Sequence, residues 1–556
     1  MTARPILLFC AFALTLAACG KKETAPPAKA ASASISSPSP LDKPFALKGG
    51  KAVDVDALLS LFPDDVRPTY VKADYDPKLG ATVVTGLKFK DKDGEGAASD
   101  SLSVVRAELY GVDLDAVSRI KGANSAADDA PLESVFEKVR LFGVEPLKGA
   151  DKGTTIGAIQ IDRMRLRRGA FKSDADDNPA VFFNAFDAAG IYFKDIVVRP
   201  ESKDGSRDGN VSFRAPDLRL VGIGGGKLGA LIMRNAEYQI DQPDNARAAI
   251  EKALGPVGAA LAGPLRNFVA PDRQRVVVKS LEWRAIDASG LMSYGLKKEK
   301  PPMSARNLLN LGTVDIQGVD TYLDGRKAAT VAQAAISAME FQWLIPSKIR
   351  SETKGAQYDL TAYLPPTEQK AIAALKSHGL SSVRGSGTLA WDWDSTKGGA
   401  QLKTGFTTDK LADIQMDAAF SGLQLSRIEA AADAGVKNAQ YKVGSLNGFG
   451  LTIVDKKLLD AMFDIAAIEM GGTGAELRAS TPATIRLGGA AVGAAHPKFA
   501  AYIDAIANFV GEGGTLEISA RPRSPVPFET LAALGGEDLQ ALPDLINLEV
   551  VHKPKR

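Results

Sequence analysis

The sequence predicts an α+β fold: a β-rich, multi-unit body of curved, mostly antiparallel sheets with amphipathic helices interspersed. Three observations predict it. Short runs of alternating apolar residues recur along most of the chain. Glycine and polar turns separate consecutive runs, which favours neighbouring antiparallel strands. The chain has 556 residues, 45% of them apolar and 24% charged, which is enough for more than one core.

The strand runs share the spacing apolar-x-apolar-x-x-apolar-x-apolar. Residues 159–166 show it, and the step from Ile161 to Met164 is one residue out of phase, which predicts a β-bulge. Comparable runs lie at residues 105–109, 211–220, 228–240, 276–286 and 314–319. Alternation places one side of each strand on a core. A curved sheet would present an open apolar face, whereas filled sandwich cores are the alternative.

Helices are predicted between the strand runs. Residues 244–254 and the Ala/Gly-rich stretch 257–269 form a helical insert, and a further helix runs from Thr367 to a C-terminus near His378. Asp455 can cap a helix that ends before Gly471, and Pro497 begins another. Their apolar stripes are expected to pack on their own sheets.

The order of runs and helices predicts four regions of the body. These are a first β-rich region, a helical insert, a second β-rich region and a C-terminal α/β region, at residues 51–241, 242–272, 273–445 and 446–556.

The amino terminus has the features of an export signal. Arg4 precedes an apolar stretch at residues 6–16, which is too short to span a bilayer, and a pair of small residues follows it. The run Leu-Ala-Ala-Cys-Gly at residues 16–20 resembles the lipobox of bacterial lipoproteins. This resemblance implies cleavage between Ala18 and Cys19, removal of residues 1–18, and a lipid anchor on the Cys19 sulfur. An ordinary secretory signal or a buried apolar helix is the alternative.

The resemblance also implies a location. Position 20 is Gly and not Asp, the residue that favours retention at the inner membrane in the best-known sorting pathway for such proteins. The expected location is therefore the bacterial outer membrane with the body in the periplasm, ahead of the inner membrane or the cell surface. Behind Cys19, residues 19–50 are rich in Ala, Pro, Ser and Lys and predict a disordered tether with a reach of about 30 Å.

Composition excludes several functions. The chain has 68 Lys+Arg against 66 Asp+Glu, a net charge of +2, so no global field favours a nucleic-acid partner. Both cysteines, Cys10 and Cys19, lie in the first twenty residues. The body therefore has no disulfide framework, no cysteine metal site and no thiol nucleophile.

No motif predicts catalysis, a metal or a cofactor. The three histidines, His378, His496 and His552, are not spaced for zinc, and no nucleophile-elbow sequence is present. The glycine-rich residues 222–228 are one residue short of a phosphate-binding loop, so they predict a turn between strands. Residues 91–96 are similar to a calcium loop, but Leu102 stands where the bidentate carboxylate is needed. The acidic cluster at residues 174–177 is a weaker match still. The chain is predicted not to be an enzyme.

Three tryptophans are candidate ligand-facing aromatics. Trp391 and Trp393 alternate with aspartates, so they would share one face of a strand, and Trp343 is the third candidate. Exposed rings could stack on sugars or other apolar ligands, while the alternative is that they fill the interior of a sheet.

The alternating strand units resemble, in pattern only, those of AsmA-type periplasmic proteins of the Gram-negative envelope. This resemblance covers at most the two β-rich regions and implies a non-enzymatic role in envelope maintenance or lipid handling. The predicted function is therefore a membrane-anchored binding or scaffold role, with lipid or another envelope protein as partner. The alternatives are an Asp/Glu-dependent hydrolase of envelope glycan or peptidoglycan, and a purely structural assembly factor.

Overall fold

The computed structural model describes ten stretches of the chain: 38–62, 67–90, 100–122, 130–146, 153–170, 179–199, 211–241, 271–436, 439–534 and 540–555. Contacts divide these residues into two compact units. The N-terminal unit holds residues within 28–246 and 272–317, and the C-terminal unit holds Pro271 and the described residues from Gly318 onward. The division falls inside one strand, β10, which spans Thr313–Leu323.

The N-terminal unit is an antiparallel meander in which each strand from β1 to β9 pairs with the next along the chain. Its strands are β1 Lys72–Asp76, β2 Ala81–Lys90, β3 Asp100–Tyr110, β4 Leu132–Pro146, β5 Thr155–Arg167, β6 Phe186–Val198, β7 Val211–Gly224, β8 Lys227–Asp241 and β9 Arg273–Asp287. Its helices are α1 Val55–Leu59, α2 Leu114–Gly122, α3 Pro179–Ala185 and α4 Ser289–Leu296, and a 3-10 turn spans Pro40–Asp42.

Two lines of kinked residues cross this meander. On each line, one residue of every strand has no partner in the ladder, and the unpaired residues of neighbouring strands lie opposite each other. The register is therefore the same on both sides of the line. The first kink line consists of Gly86, Val105, Gly143, Gly157, Asp195, Pro216, Asn235 and Lys279, on β2 to β9. The second kink line consists of Glu137, Arg163, Ala189, Gly222, Gly229 and Ala285, on β4 to β9.

Left-handed residues alternate from strand to strand along these lines. On the first line they fall on the even strands, at Gly86, Gly143, Asp195 and Asn235, and on the second on the odd strands, at Arg163, Gly222 and Ala285. A left-handed residue reverses the side to which the next residue points, as at a glycine bulge. This explains the three-residue step between apolar positions in the sequence pattern: on β2, Val84 and Leu87 flank the left-handed Gly86, are 1% and 7% exposed and share one core.

The core of the N-terminal unit lies between α1, α2 and one face of β2 to β5. Asp54 accepts a hydrogen bond from the Ala57 amide and so caps α1. In α2, Val117 and Ile120 are buried at helical spacing against Val84 and Val139.

The C-terminal unit is a second antiparallel meander, in which β11 to β17 pair in order, β19 pairs with β17, and β18 lies beside β16. Its strands are β11 Arg326–Gln342, β12 Ile345–Tyr358, β13 Val383–Trp393, β14 Ala400–Thr408, β15 Ala412–Ser421, β16 Ser445–Asp455, β17 Thr515–Ala520, β18 Val526–Pro527 and β19 Leu548–Lys553. Its helices are α5 Gln369–Ser377, α6 Leu425–Asp433, α7 Ala439–Val443, α8 Leu458–Met470, α9 Gly474–Ala495, α10 Pro497–Glu512, α11 Phe528–Ala533 and α12 Leu542–Leu545, with a 3-10 turn at Leu360–Tyr363.

Two apolar clusters close opposite parts of this unit. One joins α5 to α8 through Ile372, Leu375 and Ala461. The other, around Val526 and Ile546, packs against the ends of β16 and β19. Within the described residues, no helix is both long and apolar enough to cross a membrane.

The β-rich, largely antiparallel α+β class predicted from the sequence is confirmed. The predicted strand runs fall in β3, β5 and β7 to β10, and the helices predicted near Thr367, behind Asp455 and from Pro497 are α5, α8 and α10. The bulge predicted between Ile161 and Met164 is a left-handed Arg163, with a register shift in the facing part of β4. The helices predicted at residues 244–254 and 257–269 lie outside the described residues, and the four predicted region boundaries stay predictions.

Two features differ from expectation. The sequence predicted a disordered tether through residue 50, but from Ser39 onward the chain is packed on the N-terminal unit. Its apolar content is low, yet its main-chain oxygens satisfy buried donors of the sheet, as described below. The 22-residue α9 was not predicted, because its alanines and glycines carry no apolar stripe.

Candidate ligand-binding face

Between the two kink lines, each strand from β4 to β9 contributes a five-residue middle segment in which the side chains alternate between two faces. The middle segments are residues 138–142, 158–162, 190–194, 217–221, 230–234 and 280–284. The first, third and fifth residues of each segment form the polar face, and the second and fourth form the apolar face. Pairing aligns these positions in rows across the sheet.

Burial at two polar positions is the reverse of the usual pattern. Gln160 is 1% exposed, but Ile159 and Ile161 on either side of it are only partly buried. Arg219 is 4% exposed between Leu218 and Leu220, which are likewise only partly buried. An antiparallel sheet with one wet face normally buries the apolar side. On β5 and β7 the central polar side chain is instead more deeply buried than its apolar neighbours.

The polar face is held by hydrogen bonds and ion pairs, both along single strands and between β4 and β5. Arg140 Nε donates to Gln160 Oε1 at 2.8 Å, and Gln160 Nε2 donates to Asp162 Oδ1 at 3.0 Å. Lys138 forms an ion pair with the same Asp162 carboxylate, and Arg219 Nε donates to Asp217 Oδ1 at 2.9 Å. Buried charges are tolerated only when they are paired in this way.

Residues 39–50, here called the strap, cover part of the polar face. Arg140 Nη2 donates to the main-chain oxygens of Pro40 at 3.2 Å and Lys43 at 2.8 Å. Tyr110 donates its hydroxyl proton to Glu108 Oε2 at 2.7 Å, and its hydroxyl oxygen lies 3.3 Å from the Phe45 main-chain oxygen. The strap therefore supplies the acceptor oxygens for Arg140 Nη2, a donor of the sheet.

Phe45 and Asp42 add side-chain contacts to the strap. The Phe45 ring packs edge-on against Tyr110 at 4.9 Å, and the Lys138 ammonium lies 4.6 Å from its centre. Lys194 donates to Asp42 Oδ1 at 2.6 Å, and this bond lowers the pKa of the Asp42 carboxyl and raises that of Lys194. Burial raises the pKa of Tyr110.

The apolar face of the middle segments is a continuous surface of aliphatic and aromatic side chains. Its two rows consist of Leu141, Ile159, Phe193, Leu218, Met233 and Leu281, and of Val139, Ile161, Ile191, Leu220, Leu231 and Trp283. Val139, Met233 and Leu281 are buried, and Leu141, Ile159 and Ile161 pack on the core of the unit. On β6 and β7 every member of both rows is only partly buried. Trp283 faces Leu231 in the ladder, and its indole N–H donates to the Leu311 oxygen.

The C-terminal unit has a comparable face. Between its two apolar clusters, one side of β12 to β17 carries the partly buried residues Ile349, Leu389, Leu402, Met416, Leu451 and Ile518. Ile414 on the same side of β15 is 37% exposed. Each unit therefore leaves the middle of its apolar face incompletely covered.

The tryptophans selected from the sequence lie at one end of the C-terminal unit. Trp393 is 6% exposed and donates to the Leu423 oxygen at 2.9 Å, so its ring fills the interior. Trp391 is partly buried, donates to the Pro346 oxygen at 2.8 Å and lies 6.5 Å from the Phe420 ring. Trp343 is partly buried in the β11–β12 turn, with φ at 54°. Sequence analysis missed Trp283, although the spacing of its run places it in register with Leu281.

The remaining motifs take structural positions. His378 is the C-cap of α5 and contacts Asp464 Oδ2 at 2.6 Å; His496 caps α10; and His552 contacts the Gly513 oxygen at 2.7 Å. The glycine-rich loop is the tight β7–β8 turn, as predicted. Ala18, Cys19 and the acidic segments at 91–96 and 174–177 lie outside the described residues. The part of the chain that is described holds no group of three or more His, Cys, Asp or Glu side chains placed to bind a metal.

One family model matches part of the chain. It covers residues 405–553, from β14 to β19, and its description is "Uncharacterized protein". No curated protein matches the sequence.

Proposed function

We propose that this chain is a lipid-anchored protein of the bacterial outer membrane whose body lies in the periplasm and binds lipid acyl chains or a similar apolar ligand without catalysis. The observation that carries the proposal is the reversed burial of the middle segments. Arg140, Gln160 and Arg219 on their charged face are buried in internal pairs or under the strap, while the isoleucine, phenylalanine and leucines of β6 and β7 on the apolar face stay partly accessible. Exposed apolar surface in a protein of this size typically marks a site of interaction.

The kink lines support a role for the shape of this face. We propose that the left-handed residues bend all the strands at the same two levels and curve the sheet, so that the five-residue middle segments form a shallow trough. Each middle segment is about 17 Å long at the usual rise per strand residue. That length is close to the extent of a membrane acyl chain, about half the thickness of a bilayer core.

Trp283 allows a site-specific test of binding. Vesicles or micelles of phosphatidylethanolamine with brominated acyl chains should quench the tryptophan fluorescence of the full-length protein, since bromine quenches only at short range. Trp283→Phe should remove most of that quenching if the N-terminal unit binds. Trp391→Phe should remove it instead if the C-terminal unit does. The absence of quenching in the wild type, together with no lipid in mass spectra of the purified protein, would contradict the proposal.

A lysine introduced on the apolar face tests whether lipid binds there, and a lysine at an exposed position elsewhere is the control. Leu231→Lys places an ammonium opposite Trp283 and should weaken lipid binding at least tenfold, because a buried unpaired charge is costly. Val105→Lys is the control, since Val105 is 67% exposed on the first kink line. Equal binding by both variants would show that lipid does not occupy this face. Circular dichroism checks that both variants fold.

The anchor is tested separately. Labelled palmitate should be incorporated into the wild type and not into Cys19→Ala, and this variant should leave the membrane fraction. An unchanged distribution of Cys19→Ala would refute the anchor but leave lipid binding by the body open to the fluorescence test.

A further inference from the structure

The last strand of the chain, β19, lies at the edge of the C-terminal meander. Among the described residues it pairs only with β17, from Thr515 opposite Lys553 to Ala520 opposite Leu548. The other side of β19 therefore has main-chain donors and acceptors without a neighbouring strand. Such an edge is a template for another strand unless charge or shape prevents it.

The two faces of β19 are different. Leu548, Val550 and His552 are partly buried toward α10, whose Phe509 ring lies 6.5 Å from the His552 ring. Glu549, Val551 and Lys553 are exposed on the opposite face, and Val551 is 43% exposed. One face is thus fixed by the helix, while the open face carries an acid, an apolar residue and a base in alternation. The base, Lys553, also donates to Glu517 Oε1 of the neighbouring β17 at 2.5 Å.

We propose that β19 pairs antiparallel with β19 of a second copy of this chain, about a twofold axis at Val551. In this register Val551 faces its own counterpart, and Glu549 of each copy faces Lys553 of the other. The symmetry forms this opposite-charge pair twice, and opposite charges directly across a ladder stabilise it. The edge is therefore complementary to itself in both charge and apolar contact.

The edge strand β1 differs from β19 at the centre of such a pairing. β1 lies at the start of the N-terminal meander, and its five residues include Lys72, Asp74 and Asp76. The same antiparallel arrangement about its central residue would place Lys72 opposite Asp76 twice, but it would also place Asp74 against Asp74 of the second copy. Like charges directly opposite each other are destabilising, whereas the centre of the β19 pairing is apolar.

A dimer through so short a strand is expected to be weak. Five paired residues bury less than the roughly 800 Å² per partner of a standard stable interface. Association should therefore depend on protein concentration in solution and be stronger when both copies are held in one membrane.

A cysteine at the axis tests the geometry in membranes. Directly opposed residues of antiparallel strands have Cα atoms about 4.5–5.5 Å apart, within the range that a disulfide spans. Val551→Cys in the full chain should therefore give a disulfide-linked dimer on mild oxidation. Leu487→Cys, at a residue 81% exposed on α9, should give no more dimer than the wild type with its own two cysteines. Equal cross-linking of both variants, or none at Val551→Cys, would overturn the proposal.

Charge exchange tests the register. Glu549→Lys alone places two lysines opposite each other at both symmetric positions and should raise the dissociation constant at least tenfold in analytical ultracentrifugation. Lys553→Glu alone should do the same with two glutamates. The double variant exchanges the charges and should restore dimerisation. A wild type that stays monomeric up to about 100 µM, or a double variant as weak as the single ones, would refute the pairing.

Discussion

Replacing Arg140 by methionine should detach the strap from the sheet. Arg140 is 7% exposed and donates to Gln160, Pro40 and Lys43 at 2.8, 3.2 and 2.8 Å. Each hydrogen bond to a charged group contributes about 1.5–3 kcal/mol, and the buried oxygens left behind lose their donor. These terms are not additive, so we expect the free energy of strap opening to fall by about 3–5 kcal/mol.

Trypsin cleavage after Lys48, which lies in the strap and precedes Gly49, measures this opening directly. When opening and closing are fast relative to cleavage, the cleavage rate follows the open population. A loss of about 3 kcal/mol then raises the rate more than about a hundredfold, since each 1.4 kcal/mol is a factor of ten. The reasoning would be refuted if Arg140→Met cleaved no faster than the wild type.

Arg119→Met is the matched control for that experiment. Arg119 also pairs with a carboxylate, Glu133, at 3.2 Å, but its side chain is 44% exposed. An exposed ion pair contributes about 0–1 kcal/mol, so cleavage after Lys48 should change by less than about fivefold. Equal effects of the two substitutions would mean that burial of the guanidinium does not set the strap's stability.

Three further predictions concern single side chains. Asn235 has φ at 50°, so Asn235→Val should lower the free energy of unfolding by about 1–2 kcal/mol and Asn235→Gly should not, as measured by urea denaturation. The pKa of Asp42 lies below its ordinary value of 3.8 in the folded state, so its contribution to strap binding is complete above that value. That contribution is lost as the pH falls through the lowered pKa, and hydrogen exchange of the strap amides should show acid-induced opening that Asp42→Asn lacks. Trp393→Ala should cost about 3–5 kcal/mol by thermal unfolding, because it empties a site that is 6% exposed, and an effect below about 1 kcal/mol would contradict its core role.

The strand pattern was predictable because its cause is local. The step from Ile161 to Met164 reports the left-handed Arg163 between them, and the same step from Met233 to Ala236 reports Asn235. A residue that reverses side-chain direction shifts the following apolar positions by one residue, and that shift can be read from the sequence alone. The alignment of these steps from strand to strand depends on register, which the sequence does not display.

The strap and the reversed burial were not predictable, for a different reason. Pro40 and Lys43 act through main-chain oxygens, and every residue has one. Their role depends on Arg140 lying about a hundred residues away in the sequence, at a separation of 100 and 97 positions. Likewise the alternation of Ile159, Gln160 and Ile161 predicts that one face is buried, but composition suggests the apolar one. Burial of the polar face depends on the strap, which covers part of that face.

The kink lines also constrain how such a chain can change in length. Left-handed residues occupy even strands on one line and odd strands on the other. Removing a single strand would therefore place two strands with a left-handed residue on the same line side by side, and would interrupt the alternation on both lines. Removing a hairpin of two strands preserves the order. Related chains of different size should therefore differ by whole hairpins, and deletion series made in that unit should keep folding where those that end in mid-hairpin fail.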